Sequence, residues 1–262
     1  MKLKKFLEHP AVCGVDIDDP LTVQLRRDMI QKRRFLRQIY NEWYASLLEA
    51  LPAGDEPVLE LGSGPSFLRD FLPEVITSDV FHCPGVDVVA DGSQMPFSSG
   101  VFRGIVMTDV LHHLPKPRFF FSEAARCVFP GGRVVMIEPW VTAWSKLIYG
   151  RLHHEPFDTM SREWEFLPKG PLSGANSALP WIIFERDRAQ FEREFPEWRI
   201  REINRIMPFR YLVSGGVSLR SLMPGWAFEL WRLAEQALTP WMKTWAMFAR
   251  VILVRVDIQG NL

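Results

Sequence analysis

Residues 58–68 read VLELGSGPSFL, and the fold is decided there. Val58-Leu59-Glu60-Leu61 is a short apolar run between Pro57 and Gly62, the pattern of a buried strand. Gly62 and Gly64 follow at once, where a chain turns sharply and brings its backbone close to a ligand. Pro65 to Phe71 is then expected to open a helix, its free N–H groups facing whatever sits above the strand. Strand, glycine turn and helix N-terminus together make a cradle for a small molecule.

Downstream of the cradle, residues 75–79 (VITSD), 86–91 (VDVVAD), 104–109 (GIVMTD) and 133–139 (RVVMIEP) read as strands, with a helix over Pro117 to Phe129. This alternation predicts a parallel sheet with helices on its faces, and ligands on such sheets bind outside the carboxyl ends of the strands. Only VFHCPG separates Asp79 from the next strand. That is short of the crossover of about a dozen residues that parallel strands use, so one face is expected to lack a helix there.

Upstream, Leu21 to Leu51 carries apolar residues at helical spacing with Arg26, Arg27, Lys32, Arg33, Arg34 and Arg37 between them, which predicts one or two amphipathic helices. After Pro139 the alternation stops. Residues 140–184 hold a long aromatic segment with the interruption LPKGPLSGANSALP, and its length without periodicity reads as an active-site cover. A helix near Asp187 to Phe195, a strand WRIREINRI from Trp198 and a last strand FARVILVRV from Phe248 are expected at the far edge of the sheet. A second, helical insertion precedes that last strand. The expected organisation is an N-terminal helical segment over 1–55 and an α/β domain over 56–262, with insertions at about 140–184 and 214–245.

Composition narrows the functional classes. Lys plus Arg and Asp plus Glu both number 31, so no global field favours nucleic acid. Cys13, Cys83 and Cys127 are odd in number and far apart, which fits a reducing, cytoplasmic setting rather than a disulfide framework. The start MKLKKFLEHP lacks the apolar run of a signal peptide, and no stretch offers about 18 uninterrupted apolar residues for a membrane span. Nine of the ten tryptophans lie between Trp140 and Trp245, so the two halves of the chain serve different jobs.

The cradle itself selects a ligand. A dinucleotide site would need a third glycine where Phe67 stands. Glu60 beside the turn would repel a pyrophosphate and favour an ammonium group.

The E-x-G-x-G of Glu60, Gly62 and Gly64 resembles motif I of class I S-adenosylmethionine-dependent methyltransferases, and the resemblance extends over residues 56–139. ADGSQMPF is similar to the segment that lies along the adenine, TDVLHHLPKP to the motif after the fourth strand, and FPGGRVVMIEP to the turn into the fifth. Together these motifs resemble the methyltransferase 11 type. The resemblance implies a Rossmann-like seven-stranded methyltransferase sheet, here with N-terminal helices and two aromatic-rich covers. It implies S-adenosyl-L-methionine as cofactor, with Glu60, Gly62, Ser63 and Gly64 at its amino-acid end. Asp79 is implied to meet the ribose, Asp91 and Gly92 the adenine, and Thr108 completes the cofactor set. Ser66 departs from the family, which often has a third glycine there.

Methyl transfer from a sulfonium demands alignment and exclusion of water, and a base only where the acceptor loses a proton. His113 and His112 are the candidate catalytic residues, with Glu138, His153, His154 and Glu155 as further candidate bases. No metal site is assigned, because adjacent histidines on a helix or strand point in different directions. The tryptophan-rich covers suit a lipophilic small-molecule or lipid-linked acceptor, or a membrane interface. The expected activity is methylation of an oxygen on such an acceptor. The competing reading is a non-catalytic binding or scaffold protein of the same fold, held at a membrane surface.

Overall fold

The computed structural model describes residues 9–10, 14–16, 18–152, 155–167, 170 and 174–257. Cys13, His153, His154 and part of LPKGPLSGANSALP lie outside the described residues. Seven strands form one sheet: β1 (Val58–Leu61), β2 (Ile76–Asp79), β3 (Val88–Val89), β4 (Phe102–Thr108), β5 (Val128–Pro139), β6 (Trp198–Ile206) and β7 (Phe248–Arg255), in the order β3-β2-β1-β4-β5-β7-β6. The first five pair in parallel, and β7 runs antiparallel to both β5 and β6. Strand order reverses between β1 and β4. That reversal is where an open sheet leaves a crevice for ligand.

Both faces of the sheet are covered, as its apolar strands require. Leu59, Leu61, Ile105, Met107, Val134 and Met136 point to one side and meet Phe120, Phe121 and Ala124 of α3 (Pro117–Cys127, the third helix among the described residues). Val58, Val106, Val135 and Ile137 point to the other. The period of two in these strands thus divides the interior into two cores.

The second face is where expectation and structure part. Pro65 to Phe71 does not form a helix. Only a 3₁₀ turn stands there, Leu68–Asp70. Ser66 Oγ accepts from Leu68 N at 2.9 Å and donates to Glu60 Oε1 at 2.6 Å, so the side chain ties the segment back to the strand. Phe67, at φ −132° and ψ 31°, is off the helical conformation. No helix separates β2 from β3 among the described residues, as the short VFHCPG link predicts, and the expected strand over 86–91 shrinks to Val88–Val89.

The cover comes from the start of the chain. Helix α1 (Pro20–Lys32) is capped by Asp19, whose Oδ1 accepts from Leu21 N at 2.8 Å, with Pro20 in the first turn. Arg33 breaks it in extended conformation, and α2 (Arg34–Glu49) follows. Phe35, Leu36, Ile39, Tyr40, Trp43, Tyr44 and Leu47 of α2 are buried against that face, sharing a core with Phe67, Leu68 and Val75. Trp43 stacks on Tyr211 at 5.4 Å and meets Phe248 at 5.1 Å.

After β5 come α4 (Ala143–Leu152), α5 (Leu179–Trp181), which runs into a π turn over Ile182–Arg186, and α6 (Arg188–Glu194). Between β6 and β7 lie α7 (Arg210–Ser214), α8 (Phe228–Ala237) and α9 (Met242–Trp245). The tryptophans here divide by burial. Trp140, Trp164 and Trp198 are core residues, whereas Trp226 and Trp241 are 72% and 57% exposed.

Candidate active site

The carboxyl ends of β1, β2, β4 and β5 open on a cavity of about 840 Å³, near the upper end of the ~300–1,000 Å³ typical of ligand pockets. The ten residues expected to bind cofactor or to act in catalysis line it: Glu60, Gly62, Ser63, Gly64, Asp79, Asp91, Gly92, Thr108, His112 and His113. Residues from the tips of β1, β2 and β4 and from the loop after β3 therefore converge.

At the tip of β1 the turn is built from glycine for a physical reason. Gly62 has φ +69°, and a Cβ there would lie 2.5 Å from Val110 Cγ2. Gly64 N donates to Asp79 Oδ2 at 2.8 Å, and Phe81 N donates to Asp79 Oδ1 at 3.0 Å, which fixes the carboxylate at the tip of β2. Burial raises the Asp79 carboxyl above its ordinary value. Ser63 Oγ donates to the carbonyl of Glu60 at 3.1 Å, bracing the turn from beneath.

Glu60 is buried, and only its Oε1 has a partner, Ser66; Oε2 makes no hydrogen bond within the protein. Burial pushes the carboxyl up to about 7, against the lowering effect of the neighbouring Ser66 and Ser63 hydroxyls. Thr108 Oγ1 and Asp109 Oδ1, at the tip of β4, are buried and without hydrogen bonds as well. Three unmet polar atoms around one cavity mark a place made for a polar ligand.

Asp91 sits at the exposed rim. Its Oδ1 accepts from Ser93 N at 2.8 Å, and the Cβ of an alanine at the adjoining Gly92 would meet Leu61 at 3.0 Å. The segment is a tight turn packed on the strand ends.

The tip of β4 turns into the histidines through a strained residue. Asp109 has φ +58°, a left-handed conformation that non-glycine residues adopt at a cost, often at functional sites. Burial pushes its carboxyl up to about 7, Glu138 and Glu155 adding to the rise. A 3₁₀ turn, Leu111–His113, follows, and it brings the rings of His112 and His113 to 4.2 Å at a 39° tilt. The expectation that neighbouring histidines diverge fails here, because the tight turn sets both side chains toward the cavity.

Glu138 at the tip of β5 is fully buried and fully engaged. Its Oε1 accepts from Val110 N at 2.9 Å and Leu111 N at 2.7 Å, and its Oε2 pairs with His112 Nδ1 at 2.7 Å. On the far side His112 Nε2 faces Glu155 Oε2 at 3.4 Å, and His113 Nε2 faces Glu155 Oε1 at 3.7 Å. Burial alone would strip the proton from His112; the carboxylates of Glu138 and Glu155 hold it on, up to about 10. His113 shifts the other way, down to about 3, through burial and the neighbouring charge of His112.

The walls correct one expectation and add further residues. No tryptophan is among the described residues lining the cavity, but all four tyrosines of the chain are: Tyr40, Tyr44, Tyr149 and Tyr211. Arg26 of α1 also lines it, one of the basic residues between the apolar positions of Leu21 to Leu51. Asp109 is another residue that the sequence left unmarked. Its neighbours in TDVLHH drew attention to the imidazoles, and its backbone strain has no signature in the letters.

Comparison with known proteins places this arrangement. Residues 59–136 match the family model described as a methyltransferase domain, of the methyltransferase 11 type. No curated protein matches the chain in sequence. Among solved structures, the chain is similar to the geranyl diphosphate C-methyltransferase of Streptomyces coelicolor A3(2), solved with Mg²⁺, geranyl diphosphate and S-adenosyl-L-homocysteine, at 12% identity and TM-score 0.50, over 84% of this chain and 81% of that one. It is also similar to a chain of the complex containing the Haloferax volcanii Trm112 methyltransferase activator, at 11% identity and TM-score 0.51, over 92% and 98%. At such identities the likeness is one of fold: a seven-stranded Rossmann-like methyltransferase sheet.

Proposed function

We propose, from the premise that residues 59–136 are a class I methyltransferase domain, that this protein transfers a methyl group from S-adenosylmethionine to an oxygen of a lipophilic small molecule or lipid-linked acceptor. One observation carries the reading. A single cavity joins the glycine turn and its unmet polar atoms to an apolar wall that holds a buried acid and histidine cluster.

The residues present fit the cofactor. The unpaired Oε2 of Glu60 suits an ammonium group, and the space beside Gly62 that a Cβ would fill admits a close backbone approach. Arg26 is the cation placed to meet a carboxylate at the same end. Asp79 keeps a second lone pair on each oxygen for ribose hydroxyls, and Asp91 with Gly92 forms the rim against which a base would lie. S-adenosylmethionine supplies a methyl group already activated by its sulfonium for in-line displacement.

What the chain adds is alignment, dryness and proton handling. Tyr40, Tyr44, Tyr149, Tyr211 and Phe166 give the acceptor an apolar, flat-walled seat. Segments from both insertions complete that seat, Ile148, Tyr149 and Phe166 from 140–184 and Gly215 to Leu219 from 214–245, so the insertions act as covers. Asp109 is the base in this reading, since an acid brought to about 7 matches the working pH. His113 accepts a hydrogen bond as a neutral imidazole. His112, carrying its proton between two carboxylates, positions the turn.

Incubation with labelled S-adenosylmethionine and fractionated lipid and metabolite extracts, followed by mass identification of the product, tests the reading. Cofactor binding with no turnover on any fraction would replace it with the scaffold alternative. A second reading, peripheral contact with a lipid surface, is favoured by Leu222, Trp226, Leu230, Leu233 and Trp241, all more than half exposed within one segment. Among the described residues no helix is long and apolar enough to cross a membrane. Liposome co-sedimentation decides on surface contact: vesicles that leave the protein in the supernatant remove it.

A further inference from the structure

We propose that His112, His113 and Glu155 form a binding site for a divalent first-row transition-metal ion at the floor of the cavity. Two imidazole nitrogens and one carboxylate oxygen are a donor set that suits such ions, while Mg²⁺ and Ca²⁺ prefer oxygen ligands throughout.

The geometry is close to what an ion needs. One ligand atom from each residue lies within 4.8 Å of the others. Ligand atoms about 2.0–2.1 Å from a zinc-sized ion stand roughly 3.4 Å apart at tetrahedral angles. His112 Nε2 is 3.4 Å and His113 Nε2 3.7 Å from the two oxygens of Glu155. These separations are long for hydrogen bonds and right for two ligands of one ion.

The supporting contacts are those of a metal centre. His112 donates Nδ1–H to the fully buried Glu138 at 2.7 Å, so an ion would displace the proton from Nε2 and bind the lone pair that faces Glu155. Ser177 Oγ donates to Glu155 Oε2 at 2.8 Å, orienting that carboxylate from across the first insertion. The two imidazoles are drawn together by the 3₁₀ turn after the strained Asp109. Charge points the same way. Asp109, Glu138 and Glu155 gather around His112, a set of carboxylates that suits a cation.

Such an ion would keep coordination positions open to the cavity, where an acceptor oxygen can bind as a ligand. The ion would favour the deprotonated oxygen, and Asp109 would receive the proton. The inference goes beyond the methyl-transfer reading, and ion binding is measured with no cofactor present.

The test is titration of chelator-treated full-length protein with Zn²⁺, Mn²⁺ and Co²⁺ by calorimetry, with the visible absorption of Co²⁺ as a second readout. One ion per chain and ligand-field bands of a nitrogen and oxygen site are expected. Glu155→Gln and His113→Asn should each weaken binding at least about tenfold, and Glu138→Gln, which touches only the orienting residue, by roughly 10–100-fold. Circular dichroism and S-adenosylhomocysteine binding confirm that each variant is folded. Absence of saturable binding, or equal affinity in wild type and Glu155→Gln, overturns the inference and leaves an ion-paired latch. Ion binding without cofactor binding would instead overturn the methyl-transfer reading alone.

Discussion

The tips of β1 and β5 each carry a buried glutamate, and the protein treats them in opposite ways. Glu138 has backbone amides on one oxygen and an imidazole on the other, so nothing about it awaits a ligand. Glu60 has one hydroxyl on one oxygen and nothing on the second. A carboxylate closed on all sides belongs to the scaffold. One left half-satisfied in a cavity wall is held ready at a cost in stability, and that cost is what a ligand repays. Asp109 at the tip of β4, with an unmet oxygen and a left-handed backbone, belongs with Glu60.

The contrast is broken most decisively at Asp109. Asp109→Asn should lower kcat by about 10²–10⁴-fold, the usual contribution of a positioned base. The wild-type rate should be low in acid and rise to a plateau as pH passes about 7, where the carboxyl loses its proton. The variant should lose that rise; a retained profile assigns the base elsewhere.

At the closed tip the effect moves to stability. Glu138→Ala should cost about 3–5 kcal/mol, because it leaves a charged imidazole and two amides buried without partners. Denaturant unfolding measures this, and a change under 1 kcal/mol would place Glu138 among the merely incidental contacts.

Gly62→Val tests the turn between them. The left-handed φ costs a residue with a Cβ about 1–2 kcal/mol, and the contact with Val110 adds to it. S-adenosylhomocysteine affinity should fall by about 100-fold in calorimetry.

The smallest effect, and the one of opposite sign, is at Glu60. Its folded carboxyl sits near 7, above the unfolded value, so the native state favours the protonated form. Stability from this group is therefore full below about pH 4.5 and is lost as pH rises toward 7. Glu60→Gln should match wild type in acid and exceed it by on the order of 2 kcal/mol above neutrality, while binding cofactor more weakly. A variant less stable than wild type at pH 8 would show that Glu60 is as closed as Glu138.

The strands over 58–61, 76–79 and 102–108 were legible because each is a short apolar run at the heart of a parallel sheet, where burial on both faces leaves little choice. The residues of the cavity were legible for a related reason: a glycine turn and acids at strand ends are local features. What the letters did not carry is long-range. The helix that covers the second face lies before β1, and nothing in Arg34–Glu49 names its partner. Ser66, a departure from the resembling family, proves to brace Glu60, a role that depends on the turn it sits in. The aromatic wall was sought in tryptophan because tryptophan is abundant in the second half. Tyrosine, scattered over three distant segments, supplies it.

Helix α2 leaves the ribosome long before some of the residues it packs against. Its Ser46 carbonyl accepts from Arg250 across 204 positions of sequence, and Glu42 pairs with Arg210 across 168. During synthesis part of its apolar face can pack early on Phe67, Leu68 and Val75, whereas Trp43 waits for Tyr211 and Phe248, because closing so long a loop brings no reward until both ends are present. The chain therefore completes this core late, and a nascent protein stopped short of β7 would leave Trp43 without its contact to Phe248. Quality control in the cell has a ready handle on unfinished copies.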